Sequence, residues 1–214
     1  MTDTVSDRST AESPPEPPAS SSSKKSPPGP PDPPEGYDDP TQFSYPGLWL
    51  SVGLLVLFVL SVAGFGELMA AIRGGAPEYT VGLTGIGVAA ALSVATVVVH
   101  ELVHGLAYHL LGYRVKYGIA LNMGAAYAAA FGQFQTRQDN LVVGLAPLLA
   151  FTLALTPLLA APLPVALAAF LALVVNTSGA TGDLYLTWRL LRMPEGTLLY
   201  DVDIRHSYAY YPEE

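Results

Sequence analysis

Residues 81–111 read VGLTGIGVAAALSVATVVVHELVHGLAYHLL and decide how the chain folds. The run holds one carboxylate, Glu101, and neither lysine nor arginine. A helix needs about 20 apolar residues to cross the hydrocarbon core of a bilayer, so this one is long enough to span with a tilt or a projecting end. A glutamate at mid-membrane costs on the order of 2.5–3.5 kcal/mol, and a residue kept there at that cost marks function.

Working outward, three more apolar segments follow the same pattern. One runs from Leu48 to Ile72, with Tyr45 and Trp49 placed as interfacial anchors. Another covers Leu141 to Ala161 and contains Pro147 and Pro157, which membrane helices tolerate when neighbours satisfy the freed carbonyls. The last runs from Val165 to Leu191 after a Pro162–Pro164 turn. Between the second and third spans, Val115, Tyr117, Ile119 and Leu121 alternate and Asn122-Met123-Gly124 offers a turn, which reads as a short β-hairpin or extended pair. Thr197–Val202 reads as one further strand. The expected fold is an all-α membrane protein of about four transmembrane helices with that extended segment inserted.

Composition agrees. Half of the residues are hydrophobic and only 13% are charged. The net charge of −8 sits at the ends, because residues 1–47 carry eight acids against three bases and residues 193–214 five against one. Nucleic acid is excluded as a partner, since the chain has no basic footprint. With no cysteine, any metal must be held by His, Asp or Glu. The expected divisions are a disordered Pro/Ser-rich acidic tail over 1–46, a membrane-embedded domain over 47–205 and an acidic C-terminal tail over 206–214. Arg114, Lys116, Arg137, Arg189 and Arg192 fall on one side of the spans and Arg73 on the other, so the positive-inside rule puts both termini in the cytoplasm of a multi-pass cell-membrane protein.

The chemistry lies in His100-Glu101-Leu102-Val103-His104. Residues four apart share a helix face, so both imidazoles reach one ion, while Glu101 on the adjoining face can take a proton from water. Two histidines leave a catalytic zinc short of a third protein ligand. Asp183 is the candidate, as the only carboxylate in the fourth span. His104 lies ten residues before Arg114 and Asp183 nine before Arg192, which sets the two at nearly one depth in parallel helices. Asn176, seven residues before Asp183, shares its face and could orient substrate or a ligand. Thr96 shares the face of His100 and is a second support for it. His109 points off that face. The alternative for the whole set is a polar patch that joins helices by hydrogen bonds, with or without an ion.

These residues resemble site-2-type intramembrane metalloproteases. More closely, they are similar to a zincin peptidase family built on a membrane domain of unknown function. The likeness rests on HELVH in a membrane helix, the extended segment, LAPLL at Leu145–Leu149 and the Asn176…Gly182-Asp183 stretch, and it covers roughly residues 80–205. It implies zinc held by His100, His104 and Asp183, Glu101 as catalytic acid/base, and a membrane or membrane-proximal protein as substrate. The chain departs from the site-2 pattern, since Asp183 follows Gly182 and precedes Leu184, where those enzymes end a proline-containing segment in Asp-Gly. A membrane metal-binding or scaffold protein without turnover is the alternative function. Oligomeric state is not legible in the sequence.

Overall fold

The structure is a computed structural model that describes residues 29–80, 82–120 and 125–213. Five α-helices and six short strands lie in the order β1 (Thr41–Phe43), α1 (Gly47–Arg73), α2 (Leu83–Leu110), β2 (Lys116–Ala120), β3 (Ala125–Ala129), β4 (Phe134–Thr136), α3 (Arg137–Leu155), α4 (Leu163–Gly179), α5 (Thr181–Leu190), β5 (Leu198–Asp203) and β6 (His206–Tyr210). A 3-10 turn over Thr156–Ala160 extends α3 past Pro157. Three helical segments are long and apolar enough to cross a membrane, or four if α4 and α5 count as one span bent by 45°. Their outward faces are apolar, with Leu83, Leu153 and Leu48 three-quarters or more exposed, the reverse of a water-facing surface.

The helices pack through small residues. α1 lies on α4, where Met69, Leu159, Ala166, Ala169 and Leu173 are buried together. Alanine at those α4 positions lets the backbones approach, which is how helices associate where apolar burial gives no net drive. α2 lies against α3 and α4, and α3 against α5. α3 begins at Arg137, ahead of the expected Leu141, because the Thr136 hydroxyl accepts from the Asp139 N–H at 3.1 Å and caps the helix.

The all-α expectation is corrected. β2 and β3 do form an antiparallel hairpin, with Lys116 opposite Ala129, although the expected Asn122-Met123-Gly124 turn lies outside the described residues. There is in addition a four-stranded antiparallel sheet in the order β1-β6-β5-β4. Two of its strands come from segments read as tails. Thr41–Phe43 pairs with Ser207–Ala209, and His206–Tyr210 pairs with β5. Phe43 then drops into a core with Leu190, Met193, Leu199 and Ala209. The preceding chain follows the same route, with the Tyr210 hydroxyl donating to Pro31 O and the Asp38 N–H to Tyr211 O. The described part of the 1–46 segment therefore docks on the sheet, because extended Pro-rich backbone still offers carbonyls and edge N–H groups.

Candidate metal centre

His100 and His104 sit one turn apart on α2, both buried, and their Nε2 atoms are 3.1 Å from each other. Asp183, in the first turn of α5, closes the triangle with carboxylate oxygens 3.2 Å from His100 Nε2 and 3.3 Å from His104 Nε2. The bend after Gly179 re-aims the chain, so Asp183 comes from the start of a new helix. There the helix dipole favours a negative charge.

The far side of each ring fixes its tautomer. His100 Nδ1 lies 2.9 Å from Asn176 Oδ1, and His104 Nδ1 lies 2.9 Å from the Val143 carbonyl oxygen. Both partners are acceptors, so each Nδ1 carries the proton and donates it. Val143 is free to accept for a sequence reason. Pro147, four residues on in α3, has no N–H, so the carbonyl of Val143 lacks its usual helical donor. His104 fills the gap. Asn176, fully buried, is anchored in turn by its amide donating to Pro147 O at 3.4 Å.

In the neutral imidazoles, with both Nδ1 protons turned away, two Nε2 lone pairs and a carboxylate face one point. Lone pairs at such spacing repel unless a cation joins them. A tetrahedral zinc with bonds of about 2.0–2.1 Å would hold its ligands about 3.3 Å apart. The observed separations of 3.1, 3.2 and 3.3 Å fit that ion, and these three residues form a group able to hold a metal.

Glu101 stands beside the group rather than in it. Its Oε2 accepts the backbone N–H of Ala128 in β3 at 2.9 Å. Gly105 makes this possible, because a Cβ there would run into the Tyr117 ring and push the hairpin off α2. A cavity of about 360 Å³ opens between these elements, and His100, Glu101, His104, Ala128, Asp183 and Asp201 all line it. Thr96 is placed differently from the expectation, since its hydroxyl donates to Leu92 O within its own helix at 2.8 Å and His100 takes its support from Asn176. His109 is exposed and lines a separate hollow.

Residues 93–198 match the family model described as "Putative zincin peptidase". The zincin-peptidase match covers just under half of the chain and takes in Thr96, His100, Glu101, His104, Asn176 and Asp183. At the level of the family it points to a metallopeptidase and, through the zincin name, to zinc. The likeness to site-2-type proteases stays with the residues themselves. No curated protein and no solved structure matches the chain.

Sequence reasoning passed over Val143, Ala128 and Asp201. Pro147 was the available signal for Val143, because a proline inside a helix always releases the carbonyl four residues earlier. Ala128 acts through its backbone and leaves no trace in residue type.

Proposed function

We propose that the chain is a membrane-embedded zinc metalloprotease that hydrolyses peptide bonds in membrane or membrane-proximal proteins. The observation that carries the reading is the convergence of His100, His104 and Asp183 at zinc-like spacing with a carboxylate, Glu101, lining the same cavity. A zinc ion held by these three residues supplies Lewis-acid polarisation of a carbonyl and makes a water easier to deprotonate.

The protein's own groups do the rest. Asn176 and Val143 keep both Nε2 lone pairs turned inward. One oxygen of Glu101 is steadied by the Ala128 N–H, and the other is free to take a proton from water and pass it to the leaving amine. β3 pairs only on its β2 side among the described residues, and Ala126 and Ala128 on it line the cavity. An extended substrate segment can add along that edge as a further strand, which suits a helix that must unwind before its backbone is reachable.

The test is cleavage of a membrane-anchored reporter by purified protein, read beside metal content. Glu101→Gln should keep one zinc per chain and lose activity by at least about 100-fold. A Glu101→Gln protein with full activity would refute this role. A zinc protein that cleaves nothing in either form would leave the metal-binding scaffold in its place.

A further inference from the structure

Beyond the His–Asp triangle the cavity continues. A second hollow of about 590 Å³ shares Tyr45, Ala126, Tyr127, Asp183, Asp201 and Ser207 with the first and ends at the Asp203–Arg205 turn. The two make one cleft, with the proposed metal group at one end and an open rim at the other. Its middle holds a carboxylate the proposed chemistry does not use.

That carboxylate, Asp201, projects from β5 opposite Ser207 of β6. Its Oδ2 accepts from the Gln135 amide at 3.1 Å, and Ser207 faces it across the strand pair. Both neighbours are neutral. Among the described residues no lysine, arginine or histidine forms an ion pair with it, although Asp183 has two histidines and Asp203 has one. Gln135, fully buried and held in place by Ala130 O, makes the support rigid. Burial pushes the Asp201 carboxyl above the usual range, against the pull of Ser207 and Gln135. Tyr45 lines both hollows with the two acids. The ring stacks edge-on against Phe43 at 5.0 Å and gives the cleft an aromatic wall.

Arg205 lines the outer hollow, but no cation lies within ion-pair distance of Asp201 among the described residues. A carboxylate with a neutral amide donor on its inner side and an aromatic surface alongside is a receptor for an organic cation on an apolar stem. Such a cation is within reach of any membrane-protein substrate, since lysine and arginine gather at the cytoplasmic edges of spans. We propose that Asp201 is a specificity-determining residue that binds a lysine or arginine side chain of the substrate next to the scissile bond. The proposal rests on the protease reading for its location but not for its readout, which is binding.

The experiment uses full-length, zinc-loaded protein carrying Glu101→Gln, so that peptides bind without turnover. Fluorescent N-acetylated peptides differ only in lysine against norleucine at one position. Glu101→Gln protein should bind a lysine peptide at least about tenfold tighter than its norleucine twin. Adding Asp201→Asn should bring the ratio to within about twofold, and adding Asp201→Lys should invert it, with zinc content unchanged in both. Equal binding of the twins, or a lysine preference that survives Asp201→Asn, overturns the proposal. A free-amine peptide without lysine that binds as well as the lysine peptide, in an Asp201-dependent way, also overturns it by moving the cation to the substrate's N-terminus. A preference in binding with no cleavage by protein that retains Glu101 would sink the protease reading and overturn the placement next to a scissile bond, leaving Asp201 as a binder of basic side chains.

Discussion

Among the described residues histidine meets aspartate in two places, and the two mean different things. In the sheet, Asp203 and His206 meet at 2.8 Å in the β5–β6 turn, with side chains 43% and 31% exposed. Asp203 also takes the N–H groups of Arg205 and His206, so the pair is a turn closure with water around it. In the helical seam, His100, His104 and Asp183 are mostly buried, come from two helices far apart in sequence, and have no spare donors. In the neutral rings the Nδ1 protons are committed to Asn176 and Val143. What distinguishes them is burial and membership: the seam brings two imidazoles to one carboxylate away from water, and the turn brings one.

The hardest attack on that comparison is removal of one corner. His104→Ala or Asp183→Ala should take zinc content from about one per chain to near zero, while His206→Ala should leave it untouched. Metal analysis of the purified proteins decides it, and stoichiometric zinc in His104→Ala would erase the distinction. A smaller effect is expected one step out. Asn176→Ala removes the acceptor for His100, and Pro147→Ala restores an N–H that competes with His104 for Val143. Each should weaken zinc by about 10–100-fold with the fold intact, the usual consequence of losing a group that orients a metal-bound histidine. A zinc titration against a competing chelator reads the difference. Pro147→Ala with unchanged affinity would mean the freed carbonyl is incidental.

The seam was largely legible beforehand because its signals are local or periodic. Two histidines at helical spacing share a face whatever surrounds them, and a carboxylate inside an apolar run is costly enough to be noticed. Counting back from Arg114 and Arg192 placed His104 and Asp183 at one depth, and the structure brings them together. Thr96 shows the limit of face-sharing, since its hydroxyl found a nearer acceptor in Leu92 O. The sheet was mostly illegible. β1 and β4 are three residues each, too short to display alternation, and β1 pairs with a strand more than 160 residues away. The His206–Tyr210 strand stood in a segment whose acids made it look like a solvated tail.

The two acids of the cleft extend the comparison to stability. Asp183 faces imidazoles, whereas Asp201 is in no ion pair among the described residues and its folded-state carboxyl is raised, chiefly by burial. A raised acid binds more protons folded than unfolded. Its charge therefore weakens the fold progressively as pH rises above the unfolded carboxylate value near 3.9, and the penalty vanishes below it. Asp201→Asn should raise the Tm in detergent at pH 8 by a few degrees, on the order of 2–4 °C, with the gain shrinking toward pH 4. Thermal melts at the two pH values test this. An Asn variant less stable than wild type at pH 8 would show Asp201 to be a structural hydrogen-bonding residue.

The smallest effect belongs to the exposed pair. Burial pushes the Asp203 carboxyl up, but the Arg205 N–H, the His206 ring and the His206 N–H together outweigh it and hold the group below its ordinary value. A lowered acid stabilises the fold above its unfolded value, and the contribution disappears as pH falls through the folded one. Solvent screening keeps the His206 share small, under about 1 kcal/mol. His206→Ala should thus shift the melt at pH 7 barely, less as salt rises, and leave zinc and peptide binding where they were. A loss of zinc in His206→Ala would join the sheet's pair to the seam's chemistry, and the contrast between a solvated pair and a dry one would no longer separate structure from function.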